Sequence, residues 1–308
     1  MTPAVPARSE PGLFAEALAI ARYHIMLVAM FATVVFGFIM AGHRPWALTL
    51  VVAVDWFLIN LMNRITDIDE DLKNGIPGTE RVARRKTALT VGSVVLMVGS
   101  FALTHLVWPT LTPFRVVVQL IGVAYNYKVV PTPSGLSRLK EIYFFKNFGS
   151  SVLFVLTCFV YPLAANAFVH IVPWSTIVLL AAFFVPFELT FEILYDMRDL
   201  EGDRAEGVPT YPVVHGVENA RRIIDGLLLF STMLLVVGFV TRALGVRELL
   251  MVFAPIAQFF FYRPRYRRGL TPRDCIVLTH LGTAQLVLFL VGTAVWLRVG
   301  LPSNVFLP

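Results

Sequence analysis

The chain has 308 residues, 57% hydrophobic and 15% charged, with 26 Lys and Arg against 20 Asp and Glu. Soluble domains carry roughly 25% charged residues, so a water-soluble globular protein is excluded and a membrane class follows. The net charge of +6 requires no nucleic-acid partner, because anionic lipid headgroups and an anionic substrate account for it.

Residues 1–12, MTPAVPARSEPG, hold three prolines and no apolar period. They are expected to form a disordered tail, leaving 13–308 as a single all-α domain of nine transmembrane helices. A hydrocarbon core about 30 Å thick takes about 20 apolar residues per helix. Such runs fall at 18–41, 46–66, 88–107, 113–130, 143–162, 171–194, 223–241, 246–262 and 275–297, each closed by Pro, Gly or a charge cluster. The first exceeds the 7–15 residues or so of a signal h-region and reads as a true span. The longest polar connections, 67–87, 131–142 and 196–222, leave no room for a soluble domain. Cys158 and Cys275 lie in or at the edge of spans without a partner motif, so neither a disulfide framework nor a zinc site is indicated.

Orientation follows from Lys and Arg. With nine spans and the N-terminus inside, 21 of the 26 fall on the cytoplasmic side, leaving Arg44, Arg115, Arg242, Arg247 and Arg298 opposite. The positive-inside bias therefore gives an integral protein of the bacterial inner membrane, with the N-terminus and acidic loops cytoplasmic and the C-terminus on the far side.

The second span runs into LMNRITDIDEDLKNGIPG, where Asn63, Asp67 and Asp71 stand at i, i+4 and i+8. At about 100° per residue they share one helical stripe. The sixth runs into FEILYDMRDLEGDRAEG, with Asp196, Asp199 and Asp203 at i, i+3 and i+7. Both acidic sets occur as their spans end, where the helix macrodipole disfavours acids, so plain capping explains them poorly. Like charges about 4 Å apart repel by several kcal/mol at an effective dielectric near 20, and a hard divalent cation relieves this. Mg²⁺ combines one or two carboxylates with phosphate oxygens and water, so two facing stripes suit a diphosphate held between metals. Asp69, Glu70 and Glu201 read as solvated neighbours.

Glu188 and Glu192 continue the second stripe into the bilayer, and Asp55 lies in the second span. Each is either a hydrogen bond between helices or a proton-accepting or acceptor-orienting group. Arg22, Lys128, Lys140, Lys146 and Arg204 are candidate diphosphate donors as well as positive-inside anchors. Arg81, Arg84, Arg85 and Lys86 read as topology determinants. Phe144, Phe145, Phe148, Phe183, Phe184, Phe187 and Phe191 are packing residues or the wall of a prenyl tunnel, whose ring faces would stabilise an allylic cation.

These motifs resemble those of the UbiA superfamily of intramembrane prenyltransferases. Its first motif, N-D-x-x-D-x-x-x-D, stands here as Asn63-Arg64-Ile65-Thr66-Asp67-Ile68-Asp69-Glu70-Asp71, and its second as Asp196, Asp199 and Asp203 followed by Gly207, Thr210, Pro212, Val213 and Gly216. The resemblance implies nine helices around a central cavity, with Mg²⁺ held by Asn63, Asp67, Asp71, Asp196, Asp199 and Asp203, and with Asp67, Asp71, Asp199 and Asp203 catalytic. It implies transfer from a prenyl diphosphate to an acceptor of unspecified identity, aromatic in some relatives. Arg64 departs from the family, and either contacts the diphosphate or pairs with Asp67. A cyclase that ionises the same donor without an acceptor, and a cation-binding transporter, are the other readings; a carrier would place its acids nearer the bilayer midplane.

Sidedness is directly testable. Cysteines introduced at Lys73 and Arg204 are expected to react with an impermeant thiol reagent only from the cytoplasmic side. Labelling from outside intact cells at either position overturns the orientation.

Overall fold

The computed structural model describes residues 13–301 apart from 74, 75, 77 and 134, so the expected tail at 1–12 lies outside the described residues. Backbone in hydrocarbon has no water to bond, so apolar runs satisfy their N–H and C=O groups internally as helices. In chain order these are α1 (Leu13–Ala21), α2 (Tyr23–Ala41), α3 (Trp46–Thr66), α4 (Ile68–Lys73), α5 (Thr79–Arg84), α6 (Lys86–Val107), α7 (Thr112–Asn126), α8 (Phe145–Val155), α9 (Tyr161–Ala165), α10 (Trp174–Arg198), α11 (Leu200–Glu206), α12 (Tyr211–His215), α13 (Val217–Val240), α14 (Val246–Leu249), α15 (Phe253–Arg267) and α16 (Pro272–Arg298). One antiparallel hairpin, β1 (Val130–Thr132) with β2 (Gly135–Ser137), sits between α7 and α8 and pairs Pro131 with Leu136.

The chain is an all-α integral membrane protein. Among the described residues seven helices are long and apolar enough to cross a membrane: 23–41, 46–66, 86–107, 145–165, 174–198, 217–240 and 272–298. The expected spans 113–130 and 246–262 correspond to shorter pieces, α7 and α15, of 15 residues each. α7 stops at Asn126, where the chain turns toward the hairpin, and a 3₁₀ turn at Leu250–Val252 splits α14 from α15.

Two expected spans are interrupted. The run 18–41 breaks at Arg22, which takes left-handed φ 48° and ψ 47° between α1 and α2. In the fifth span a π-helical turn at Leu156–Val160 joins α8 to α9. Such a turn frees a carbonyl from the regular ladder, and Thr33 Oγ1 donates to the Thr157 carbonyl at 3.2 Å while Trp56 Nε1 donates to Thr157 Oγ1 at 3.2 Å.

The helices close a ring. α2 packs on α3, α3 on α7, α7 on α8, α8 on α10, α10 on α13, α13 on α15, α15 on α16 and α16 back on α2, with α6 outside on α3 and α7. Gly122 permits the close approach of α7 to α3, since a Cβ there would come 2.7 Å from Ile59 Cγ1. Val95, Leu106 and Val240 are exposed on the outer surface, as expected where lipid rather than water is the solvent.

Asp55, anticipated among the substrate contacts, is instead committed to bracing this ring. Arg115 Nη2 lies 2.5 Å from Asp55 Oδ1 and Nε 2.9 Å from Oδ2, with both side chains 0% exposed. Tyr161 donates to Oδ2 at 2.8 Å and Gln119 to Oδ1 at 3.0 Å. Arg115 also donates to the Ser100 carbonyl at 2.9 Å and to Thr104 Oγ1 at 2.8 Å. α3, α6, α7 and α9 are thus tied by one cluster. The count of Lys and Arg set Arg115 at the far-side edge of the span 113–130; its partner 60 residues away in sequence holds it buried between helices. Removing one member of a buried pair leaves an uncompensated charge, at about 3–5 kcal/mol. Asp55→Asn and Arg115→Met should each lower the thermal unfolding temperature in detergent markedly, and the double variant should lose less than the two losses added. Unchanged melting of both single variants would refute the bracing role.

Candidate active site

Both acidic motifs are built at a helix break. Thr66 ends α3 by turning its hydroxyl onto the Met62 and Asn63 carbonyls at 3.1 and 3.0 Å. Asp67 caps α3, and α4 starts afresh at Ile68 with Asp69, Glu70 and Asp71 in its first turn. Asp199 likewise caps α10, and α11 carries Glu201 and Asp203 in its first turn. The continuous stripes expected from spacing are therefore each cut in two. The break answers the dipole conflict, because acids at the end of one helix become acids at the start of the next, where the macrodipole favours them.

Each carboxylate meets a base. Asn63 donates to Asp67, which also accepts from Lys140 at 2.5 Å and from Arg138 at 3.0 Å. Arg138 is steadied by Glu141 at 2.7 Å. Asp71 pairs with Arg64 at 2.7 Å, so the expected pairing of Arg64 with Asp67 gives way to one a full turn further on. Lys146 lies 3.0 Å from Asp196 and 2.9 Å from Asp203, and Asn147 donates to Asp196 at 2.6 Å. Asp199 is held by its neighbour Arg198. Residues 138–146, from the end of the hairpin into the first turn of α8, thus bond to both motifs at once.

Burial raises the Asp203 carboxyl above its usual range, with Lys146 pulling against it. Asp69, Glu201, Lys128 and Arg204 are exposed, and Arg22 is half-buried. Glu70 lies 3.8 Å from Lys140.

Below the motifs opens a cavity of about 560 Å³ lined by α2, α8, α10, α15 and α16. Its wall is largely apolar and includes Phe154, Phe183, Phe184, Phe187 and Phe191, with Phe183 and Phe187 stacked at 5.8 Å between centroids. Glu188 and Glu192 line it as well, two turns and one turn of α10 before Asp196 respectively. Ser150 Oγ lies 3.2 Å from Glu188 and 3.0 Å from Glu192, and Ser151 donates to Glu188. Tyr195 stands at the junction of cavity and acidic site, its hydroxyl 3.0 Å from Thr279.

Sequence reading passed over Arg138, Asn147, Ser150 and Ser151. A usable signal existed for three of them: Lys146 and Ser150, and Asn147 and Ser151, stand at i, i+4 and form polar stripes at the start of an apolar span. Arg138 carries no such mark; only the fold brings it to Asp67.

Among the described residues no three Asp, Glu, His or Cys side chains converge as a ready-made ligand set. The donor chemistry is nonetheless that of a hard divalent cation, which is usually completed by phosphate oxygens and water rather than caged by protein alone. Replacing Lys146 by Met leaves Asp196 and Asp203 without their shared counter-charge, which raises the folded-state pKa of Asp203 further. Its penalty is present at high pH and relieved as pH falls through that pKa. The variant should melt several degrees below wild type near about pH 8, with the gap narrowing toward about pH 5; a gap independent of pH would contradict this.

The profile described as the UbiA prenyltransferase family matches residues 30–281. A digeranylgeranylglyceryl phosphate synthase of Haloquadratum walsbyi is 35% identical over 106 residues, spanning 34% of this chain and 36% of that protein. Two structures of a UbiA homolog from Archaeoglobus fulgidus, bound to GPP and Mg²⁺ or to DMAPP and Mg²⁺, match with TM-scores of 0.65 and 0.66. Each covers 90% of this chain and 98% of the neighbour at 17% identity, a likeness of fold.

Proposed function

The chain belongs to the UbiA prenyltransferase family, and from that premise we propose that it transfers an isoprenyl group from a prenyl diphosphate to an acceptor within the membrane, in a Mg²⁺-dependent reaction. The observation that carries this reading is the strap 138–146, which bonds both acidic motifs at the head of an apolar cavity. Anionic head and apolar tail of one donor molecule thereby find adjoining places.

Asn63, Asp67, Asp71, Asp196, Asp199 and Asp203 would hold Mg²⁺, whose chemistry is to neutralise charge on the departing diphosphate oxygens. In the structure Asp67, Asp71, Asp196, Asp199 and Asp203 are matched by Arg64, Arg138, Lys140, Lys146 and Arg198. With those carboxylates engaged by Mg²⁺, Arg138, Lys140 and Lys146 would be free to turn their donors onto phosphate oxygens. Such pre-placed donors stabilise leaving-group charge as it develops. Lys128 and Arg204, exposed and without an ion pair among the described residues, can meet the diphosphate only from the cytoplasmic rim.

As the C1–O bond breaks, the allylic carbon sits below the motifs, where the cavity excludes water that would quench it. The faces of Phe187 and Phe191 attract a delocalised cation. Glu192 and Glu188, oriented by Ser150 and Ser151, are placed to turn an acceptor toward that carbon and to take its released proton. The digeranylgeranylglyceryl phosphate synthase is matched over about a third of its length, and no acceptor is carried over from it.

Purified protein, Mg²⁺ and a panel of prenyl diphosphates, with and without candidate acceptors, test the reading. Prenylated product is expected only when an acceptor is present; cyclic products without one would indicate a cyclase. Asp67→Asn, Asp71→Asn, Asp199→Asn and Asp203→Asn should each cost about 3 kcal/mol of barrier, roughly a hundredfold in turnover. Near wild-type turnover in all four at saturating Mg²⁺ would overturn the site.

A further inference from the structure

The acidic motifs stand at one end of the ring, and a second cavity, of about 300 Å³, lies at the other. α3 connects the two: it starts on this cavity at Trp46 and runs 21 residues to Thr66, next to Asp67. At 1.5 Å per residue that length is about 30 Å, the thickness of the hydrocarbon core. The second cavity therefore sits at headgroup level in the leaflet opposite the motifs. Its walls are the turn from α2 to α3, Trp108 at the cap of α6, and Pro162, Ala165 and Asn166 at the end of α9.

Arg44 lines this cavity without an anion. Its guanidinium lies over the Phe38 ring, 4.7 Å from the centroid, and Nη2 is buried without an acceptor. It makes no ion pair among the described residues, and no residue lining the cavity is acidic. Arg115 and Arg247, buried toward the same end, are by contrast answered by Asp55 and Glu248 at 2.5 and 2.6 Å. A partly buried guanidinium with an unmet N–H is unfavourable, and one oxyanion in the cavity would satisfy both its charge and its donor.

Around the mouth of the cavity the surface is suited to acyl chains. Trp46 is 51% exposed, Leu50 one turn further along α3 is 67% exposed, and Leu106, two residues before Trp108, is 82% exposed. Tryptophan at span ends belongs at headgroup level, with aliphatic side chains against the acyl region. Cation, tryptophan and aliphatic surface thus follow one another from the end of the ring inward, in the order phosphate, glycerol backbone and acyl chain of a single lipid. A soluble phosphate would meet Arg44 alike, yet gain nothing from Trp46 and Leu50.

We propose that Arg44 and this cavity seat the phosphate of a phospholipid from the leaflet opposite the acidic motifs. The vacant Nη2 donor and the guanidinium charge recognise the phosphodiester, whose oxygens a planar guanidinium matches in geometry as well as charge. Trp46 and Leu50 take the start of the acyl chains. The seat lies a full span away from Asp67 and is independent of prenyl transfer.

Native mass spectrometry of the full chain in detergent, titrated with dioleoyl phosphatidylglycerol, tests the seat. Wild type should hold one phosphatidylglycerol that Arg44→Gln binds about tenfold more weakly, the loss expected for one charge-assisted hydrogen bond. Arg44→Lys should fall between the two. Arg298→Gln, at the exposed end of α16 on the same side, should match wild type. Dioleoylglycerol, with the same chains and no phosphate, should bind weakly and equally to wild type and Arg44→Gln. Equal affinity of wild type and Arg44→Gln for phosphatidylglycerol overturns the proposal, as does equal retention of the two lipids by wild type. Calorimetric titration with inorganic phosphate and glycerol phosphate separates the soluble source: Arg44-dependent binding of either, without Arg44-dependent binding of the lipid, overturns the lipid seat. Melting curves establish that each variant is folded. Should Arg44→Gln not fold, the comparison rests on Arg44→Lys, whose unchanged affinity for phosphatidylglycerol would overturn the proposal.

Discussion

The structure depends on neutralising acid charge at the edge of a low-dielectric medium. Five carboxylates of two motifs stand where two spans leave the membrane, and each is answered by a base within hydrogen-bonding distance. Pairwise repulsion among so many like charges would amount to several kcal/mol per contact, so neither motif could hold its place without the other groups. Arg64 comes from within the first motif and Arg198 from within the second, but Arg138, Lys140 and Lys146 come from a loop and the first turn of α8, distant in sequence from both. That segment is therefore the element that joins two local acidic ends into one site.

The same constraint appears deeper in the bundle with a different outcome. Asp55 and Arg115 are wholly buried and satisfied on all sides by Tyr161, Gln119, Thr104 and Ser100. A closed network of this kind gives rigidity and offers nothing to a ligand. Glu188 and Glu192 differ: they meet hydroxyls rather than cations, and they line a cavity. Buried acids in one membrane domain thus differ by their partners, some closed into a network and some open to a cavity, which is why burial alone does not identify a site.

Helix breaks place the chemistry. Asp67 and Asp199 each end a long helix and precede a short one, and Arg22 separates α1 from α2. A helix continuing straight would hold its acids against the negative end of its own dipole. By breaking, α3 and α10 present backbone and side chains to one end of the ring while their apolar lengths stay packed within it. The π-helical turn before α9 is the matching irregularity inside the membrane, where neighbouring Thr33 takes up the freed carbonyl.

What the sequence determined by itself was the medium and the two acidic motifs. Apolar runs of span length can only be helices in lipid, and the spacings of Asn63, Asp67 and Asp71 and of Asp196, Asp199 and Asp203 are visible without a fold because helical period relates neighbours three and four apart. The breaks at Asp67 and Asp199 were less legible, although the dipole conflict that causes them was already written in the position of the acids. Tertiary structure decided the partners. Nothing in local pattern joins Asp55 to Arg115, Asp67 to Arg138 or Asp203 to Lys146, because each pair is set by which helices become neighbours when the ring closes. Whether a membrane acid braces, binds or waits for a ligand is a property of that closure, since the charge or hydroxyl facing it arrives from another part of the chain.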